Sequence, residues 1–119
     1  MISRIIDITD QFNSTGRARL DLGGWGIATF QIISPSGSIS FTGTNDGGEE
    51  TGTLTPSPSR SINFSTIEAT DLSSGTKVTS TSATGMYEVV IDCKYIQLFG
   101  TGVTATKILV FVNKPALAL

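Results

Sequence analysis

The chain has 119 residues, a formal net charge of −2 from 8 basic and 10 acidic side chains, 13 glycines, one cysteine and no histidine. That length supports one domain with one modest core. The missing histidine excludes Ser-His-Asp and Cys-His nucleophile arrangements, imidazole zinc sites and the usual general base at neutral pH. The cations Arg4, Arg17, Arg19, Arg60, Lys77, Lys94, Lys107 and Lys114 are scattered rather than striped, so a nucleic-acid partner is not expected.

Cys93 has no cysteine to pair with in the same chain, so stability is expected to come from packing and partners, with no disulfide, metal or cofactor. Asp7 and Asp10 interrupt the first ten residues, MISRIIDITD, where a secretory leader needs an unbroken apolar stretch, and no leader is expected. The apolar runs at 108–112 and 116–119 are too short to span a bilayer as a helix, and no membrane partner is expected. Seventeen Thr and fourteen Ser, with few helix-forming residues, point to β structure throughout.

In chain order, residues 1–12 carry Ile2, Ile5, Ile6, Ile8 and Phe12 before an Asn-Ser-Thr-Gly breaker, and their spacing fits neither a clean strand nor a clean helix. Residues 1–14 are therefore expected to be an extended arm. Residues 25–33 alternate Ala28, Phe30 and Ile32 against Ile27, Thr29 and Gln31. After the Ser-Pro-Ser-Gly turn at 34–37, residues 38–43 place Ile39 and Phe41 inward and Ser38, Ser40 and Thr42 outward. Asn45, Asp46, Gly47 and Gly48 are the strongest hairpin signal in the chain, because Asn and Gly tolerate positive φ.

A short strand is expected at 51–54, followed by a loop in which Pro56 and Pro58 forbid ladder hydrogen bonds. Alternation resumes through Ile62, Phe64, Thr66 and Glu68, and further strands are expected at 77–81, 86–92, 94–99 and 104–113. Strands recurring at this spacing between Gly, Ser and Asn turns predict an all-β fold, a single antiparallel β-sandwich of about eight or nine strands. Its domain is expected over 15–114, with a short C-terminal tail at 115–119.

The last two strands are apolar on both faces, through Tyr95, Ile96, Leu98 and Phe99 and then through Ile108, Leu109, Val110, Phe111 and Val112. Two accounts stand. The second face lies under the N-terminal segment, or it is a subunit interface, since apolar patches of this size are uncommon on soluble monomers. The tail, with Pro115, Leu117 and Leu119, also needs cover. Ile2, Ile5, Ile6, Ile8, Phe12, Tyr95, Phe99, Leu109, Phe111, Leu117 and Leu119 are thus the candidate interface residues, and both termini are expected to pack on a neighbouring chain.

Other constellations have plainer explanations. Asp46, Glu49 and Glu50 beside Asn45 offer oxygen ligands, but their spacing matches no calcium loop and fits a solvated hairpin tip. Cys93, without a histidine, fits a small packed residue rather than a nucleophile. The sequons at Asn13 and Asn63 fit turn and strand positions. Trp25, Tyr87, Phe41 and Phe99 could form a sugar-stacking platform, with Trp25 in its glycine-rich setting the best placed for exposure, although core or interface packing is the usual fate of large aromatics.

The stretches GGWGIATFQIISPSGSISFTGTNDGG at 23–48 and TDLSSGTKVTSTSATGMYEVVIDCKYIQLFGTGVTATKILVFV at 70–112 resemble small β-sandwich virion proteins of tailed bacteriophages. The shared elements are a Gly-Trp-Gly start, an Asn-Asp-Gly hairpin, a Thr-Ser-Thr, a Gly-Met-Tyr and a terminal hairpin. Glu49 and Glu50 replace the family's usual aromatic after the turn. The resemblance implies a non-enzymatic structural protein of a virion assembled in the host cytoplasm. Within it, a capsid decoration (cement) protein that binds the major capsid protein, or other virion proteins, and forms a homo-oligomer is expected. The alternative it implies is a tail or baseplate accessory that binds a host-surface glycan, with Trp25, Asn45, Asp46, Glu49 and Glu50 as the candidate outer loop or ligand surface.

Overall fold

The computed structural model describes residues 2–21, 26–45, 63–90 and 93–114. In chain order these form β1 (Ile2–Asp7), α1 (Thr9–Thr15), β2 (Arg17–Asp21), β3 (Ile27–Ile33), β4 (Ile39–Thr44) and β5 (Ser65–Thr66), then β6 (Ala69–Asp71), β7 (Lys77–Val78), β8 (Ser80–Thr81), β9 (Gly85–Val90), β10 (Tyr95–Phe99) and β11 (Lys107–Lys114). The strands make two antiparallel sheets. One has the order β1-β11-β3-β9-β6-β7. The other has the order β2-β10-β4-β5, with β8 also paired to β4. The expected all-β sandwich is the fold.

Strict alternation builds the core. In β3 the residues Ala28, Phe30 and Ile32 are buried, and the register sets Phe30 beside Val110 on one side and Tyr87 on the other. From the facing sheet come Ile39 and Phe41 of β4 and Ile96 and Leu98 of β10, all fully buried. Phe41 bridges the layers, with ring centroids 5.9 Å from Phe30 and 5.7 Å from Tyr87 in tilted packing. The buried Tyr87 hydroxyl keeps polar partners, donating to the Ala83 carbonyl at 2.9 Å and meeting Thr81 Oγ1 at 2.6 Å.

The described part of the segment 62–81, residues 63–81, differs from the expectation of two longer strands. It breaks into four short pieces because the chain changes sheet twice: β5 pairs β4, β6 pairs β9, β7 pairs β6, and β8 returns to β4. Each crossing between layers ends a ladder, so Ala69 is the buried residue here while Thr66 and Glu68 are exposed. The expected hairpin tip beyond Asn45, the strand at 51–54, the proline loop and the tail at 115–119 lie outside the described residues.

The N-terminal segment corrects a second expectation. Residues 2–15 are part of the domain rather than an extended arm. β1 runs antiparallel to β11 from Ile2 opposite Lys114 to Asp7 opposite Leu109. The chain then turns into α1. Ile8 and Phe12, one helical turn apart, are only 3% and 0% exposed, and close the end of the core. The mixed spacing of residues 1–12 has a simple cause: the period changes from 2 to 3.6 at Ile8.

Polar clamps hold this junction. Thr9 Oγ1 accepts the Ile108 N–H at 2.9 Å and donates to Asp7 Oδ1 at 2.6 Å. The Asn13 amide brackets the backbone of Ala105, accepting its N–H and donating to its carbonyl, both at 2.8 Å. Gly16 ends the helix in the left-handed region at φ 74°, and an added Cβ there would lie 2.6 Å from the Gly100 carbonyl oxygen.

Candidate interaction surfaces

A sandwich has two outer faces, and the same alternation that fills this core sets what each presents. On the six-stranded sheet the outward rows run Asn113–Ile27–Val90, Ile5–Phe111–Thr29–Glu88 and Asp7–Leu109–Gln31–Met86. Ile5 is 69% exposed, Val90 60%, Met86 45% and Phe111 39%, with Ile27, Ile33 and Leu109 half-buried between them. The charges at one end are tied together: Lys107 Nζ lies 2.8 Å from Asp7 Oδ2. That hydrogen bond, helped by those from the Thr9 hydroxyl and N–H, holds the Asp7 carboxyl far below the usual carboxylate range and raises Lys107.

On the five-stranded sheet the outward rows are Arg17–Phe99–Ser40–Ser80, Arg19–Gln97–Thr42–Thr66 and Asp21–Tyr95–Thr44. Here the aromatic rings are covered by cations. The Arg19 guanidinium lies 4.1 Å from the Tyr95 ring centroid, Arg17 lies 5.5 Å from that of Phe99, and the Lys94 ammonium lies 5.3 Å from Tyr95. Among the described residues neither guanidinium has a carboxylate partner. The Thr42 hydroxyl donates to the Gln97 carbonyl at 2.8 Å, so this face is hydroxyl- and cation-rich.

The sequence-derived interface residues therefore do not form one surface. Ile5, Leu109 and Phe111 share the outer face of the six-stranded sheet. Tyr95 and Phe99 lie on the opposite side of the molecule, on the outer face of the other sheet. Ile8 and Phe12 are core residues, and Ile6 packs partly buried against the core opposite Val110. Ile2 lies at the start of β1. Leu117, Leu119, Trp25, Asp46, Glu49 and Glu50 lie outside the described residues. Asn45 is exposed and accepts the Lys94 N–H at 2.8 Å, a link between the ends of β4 and β10.

The last two strands depart from the first of the two accounts in one respect. Both are mid-sheet with one face in the core, yet the N-terminal segment extends the sheet edge instead of covering the second face. Of the aromatics weighed as a sugar platform, Phe41 and Tyr87 are core, and Phe99 is outward beneath Arg17. Sequence reasoning missed β2 and its arginines. The alternation of Arg17, Arg19 and Asp21 against Ala18 and Leu20 carries that signal.

Cys93 is half-buried and packs on the core, its thiol 3.2 Å from the Tyr95 carbonyl. It also explains a glycine. An added Cβ at Gly43 would sit 2.7 Å from Cys93 Sγ and 3.2 Å from Ile67 Cγ2. A hollow of about 450 Å³ beside it is lined by Ile67, Glu68, Lys77 and Glu88 among others. Among the described residues no group of three or more Cys, Asp or Glu side chains is gathered as a metal site would require.

No protein-family model matches the sequence, and no curated protein gives a significant sequence match. In three dimensions the chain is similar to the crystal structure of the SPBc2 prophage-derived protein YomS, with a TM-score of 0.64 over 94% of each chain at 13% identity. The sandwich described here is thus a fold also found in a prophage-derived protein.

Proposed function

We propose that the protein is a non-enzymatic structural component of a bacteriophage particle, a decoration (cement) protein that binds the major capsid protein and stabilises the shell. The observation that carries this is the outer face of the six-stranded sheet, where Ile5 and Phe111 stand exposed as cross-strand neighbours and Met86 and Val90 stand exposed on β9 beyond β3, on a fold shared with a prophage-derived protein. Exposed apolar side chains of this kind gain from burial against a partner, on the order of 1.5–3 kcal/mol for each one fully covered. A homo-oligomer on the shell is part of the reading, and the virion is the location it implies.

The test is binding to phage shells that lack the protein. Wild type is expected to pellet with the shells and raise their melting temperature. Val90→Asp combined with Phe111→Asp is expected to do neither while melting normally in isolation. Equal binding by wild type and variant would sink the use of this face, and no binding by either would sink the decoration reading.

A second reading, a tail or baseplate accessory that binds a host-surface glycan, is favoured by one observation. The Arg17 and Arg19 guanidinia are held in place over aromatic rings with no carboxylate among the described residues. Since the cations cover the rings, the fitting sugar is an acidic one rather than a neutral stacking ligand. Retention on an acidic but not a neutral polysaccharide column, lost in Arg17→Ala with Arg19→Ala, would favour it over the first.

A further inference from the structure

Among the described residues the two sheets end in four edges, which are guarded unequally. β5 and β8, end to end on β4, and β7 on β6 are two residues each, too short to template another strand. In β2 the pairing of Gly100 N–H with the Gly16 carbonyl fixes the phase of the ladder, so the backbones of Arg17, Arg19 and Asp21 point outward. Arg17 is blunted locally, because Thr15 Oγ1 accepts its N–H at 3.2 Å and lies 2.9 Å from its carbonyl oxygen, and a charged side chain stands at each of the three positions, a feature that discourages edge pairing.

β1 is different. Its six residues pair with β11 on one side, and the Ile8 N–H to Ile108 carbonyl bond of 3.1 Å sets the phase. Even-numbered residues of β1 spend their backbone groups on β11. Those of Ser3, Ile5 and Asp7 point out of the sheet. No side chain of the described residues bonds to the Ile5 backbone. The strand holds no proline or glycine, and at its middle stands the most exposed large apolar side chain of the described residues, Ile5 at 69%.

We propose that β1 pairs with β1 of a second copy of this chain, antiparallel about a two-fold axis at Ile5, joining two six-stranded sheets into one. The register follows from the ladder. Centring on Ile5 sets Ser3 opposite Asp7, Ile5 opposite Ile5 and Asp7 opposite Ser3, so all three outward residues of each copy are paired. Centring on Arg4 would oppose two arginines at the closer, non-hydrogen-bonded spacing, and centring on Ile6 would leave Ser3 unpaired. A second copy is the fitting partner because one patch then satisfies itself, as a closed two-fold interface requires. The pairing also makes the outward row Phe111–Ile5 continuous with its symmetry mate, which doubles the apolar face. The inference needs only the ladder, so it stands or falls separately from the capsid reading.

Sedimentation equilibrium of the purified full chain is expected to give twice the chain mass. Ile5→Pro removes an N–H that β11 does not use, so this variant is expected to fold and sediment as a monomer. Ile5→Lys, which brings two like charges together at the axis, is expected to do the same should the proline variant fail to fold. In a Cys93→Ser background, Ile5→Cys is expected to cross-link to a disulfide dimer under mild oxidation, since Cα atoms of a hydrogen-bonded pair stand roughly 5.5 Å apart, within disulfide range. Ser3→Cys alone should not cross-link, whereas Ser3→Cys mixed with Asp7→Cys should. A monomeric wild type overturns the proposal. So does a folded Ile5→Lys variant that stays dimeric, or a dimer broken by Val90→Asp but not by Ile5→Lys, which would place the contact on the sheet face.

Discussion

The two outer faces of the sandwich are made by the same rule and end up chemically opposite. Both sheets send alternate residues of their long strands into one shared core, Phe, Ile and Val from the six-stranded sheet and Phe, Ile and Leu from the other. Outside, the six-stranded sheet leaves Ile5, Met86, Val90 and Phe111 bare. The five-stranded sheet lays Arg17, Arg19 and Lys94 over Phe99 and Tyr95 and surrounds them with Ser and Thr. Outward aromatic residues are therefore not equivalent: those on one sheet are partnered within the chain, and Phe111 on the other is not stacked by a cation among the described residues. An apolar position signals an interface only where no neighbour from the same sheet covers it.

The inner faces provide the baseline against which either outer face is judged. Phe12→Ala, which opens a cavity where α1 closes both sheets, is expected to cost about 3–5 kcal/mol in denaturant unfolding. A loss below about 1 kcal/mol would mean that α1 does not seal the core. Deleting residues 1–15 should unfold the isolated domain, because it removes β1 as well as Phe12, whereas a dispensable arm would leave its melting unchanged. Gly43→Ala is the next largest effect. Its methyl meets Cys93 Sγ and Ile67 from β4 of the five-stranded sheet, and overpacking of this kind costs about 1–3 kcal/mol, measured by the same unfolding.

The outer faces themselves should barely register in monomer stability, and there the two diverge. Arg19→Ala uncovers Tyr95 and is expected to cost about 0.5–1 kcal/mol, the range of an exposed cation–π contact. Phe111→Thr, measured on a chain kept monomeric by Ile5→Lys, should fall within about 0.5 kcal/mol of that background, as for surface positions generally. A larger loss for Phe111 than for Arg19 would reverse the contrast between partnered and unpartnered faces.

The smallest effect is set by pH. The folded state holds Asp7 below its ordinary value near 3.8, so the stabilisation from this group is complete above that value and is lost as pH falls beneath it. Lys107, raised above its ordinary 10.5, contributes fully below that value and loses its contribution as pH rises through the folded one. Asp7→Asn should therefore flatten the acid limb of the stability profile below about pH 4 and leave the slope between pH 5 and 9 unchanged. An identical acid limb in the variant would show that the pair does not act in the fold.

Much of the fold was legible because period-2 patterning depends only on neighbours in sequence. The inward sets Ala28–Phe30–Ile32 and Ile39–Phe41 and the long final strands could be read from residue type alone. The class of fold and the inner faces were determined at that level. What the sequence could not separate was anything decided by which strands become neighbours. Residues 2–15 hold a strand and a helix in succession, and neither period runs long enough to be seen until β11 and the core select each part. Residues 65–81 change sheet twice, which no local pattern encodes. Tyr95 and Phe111 look alike along the chain. Only the strand order puts Arg19 beside the first and the edge strand β1 beside the second, because lateral pairing joins residues far apart in sequence and no local pattern specifies it.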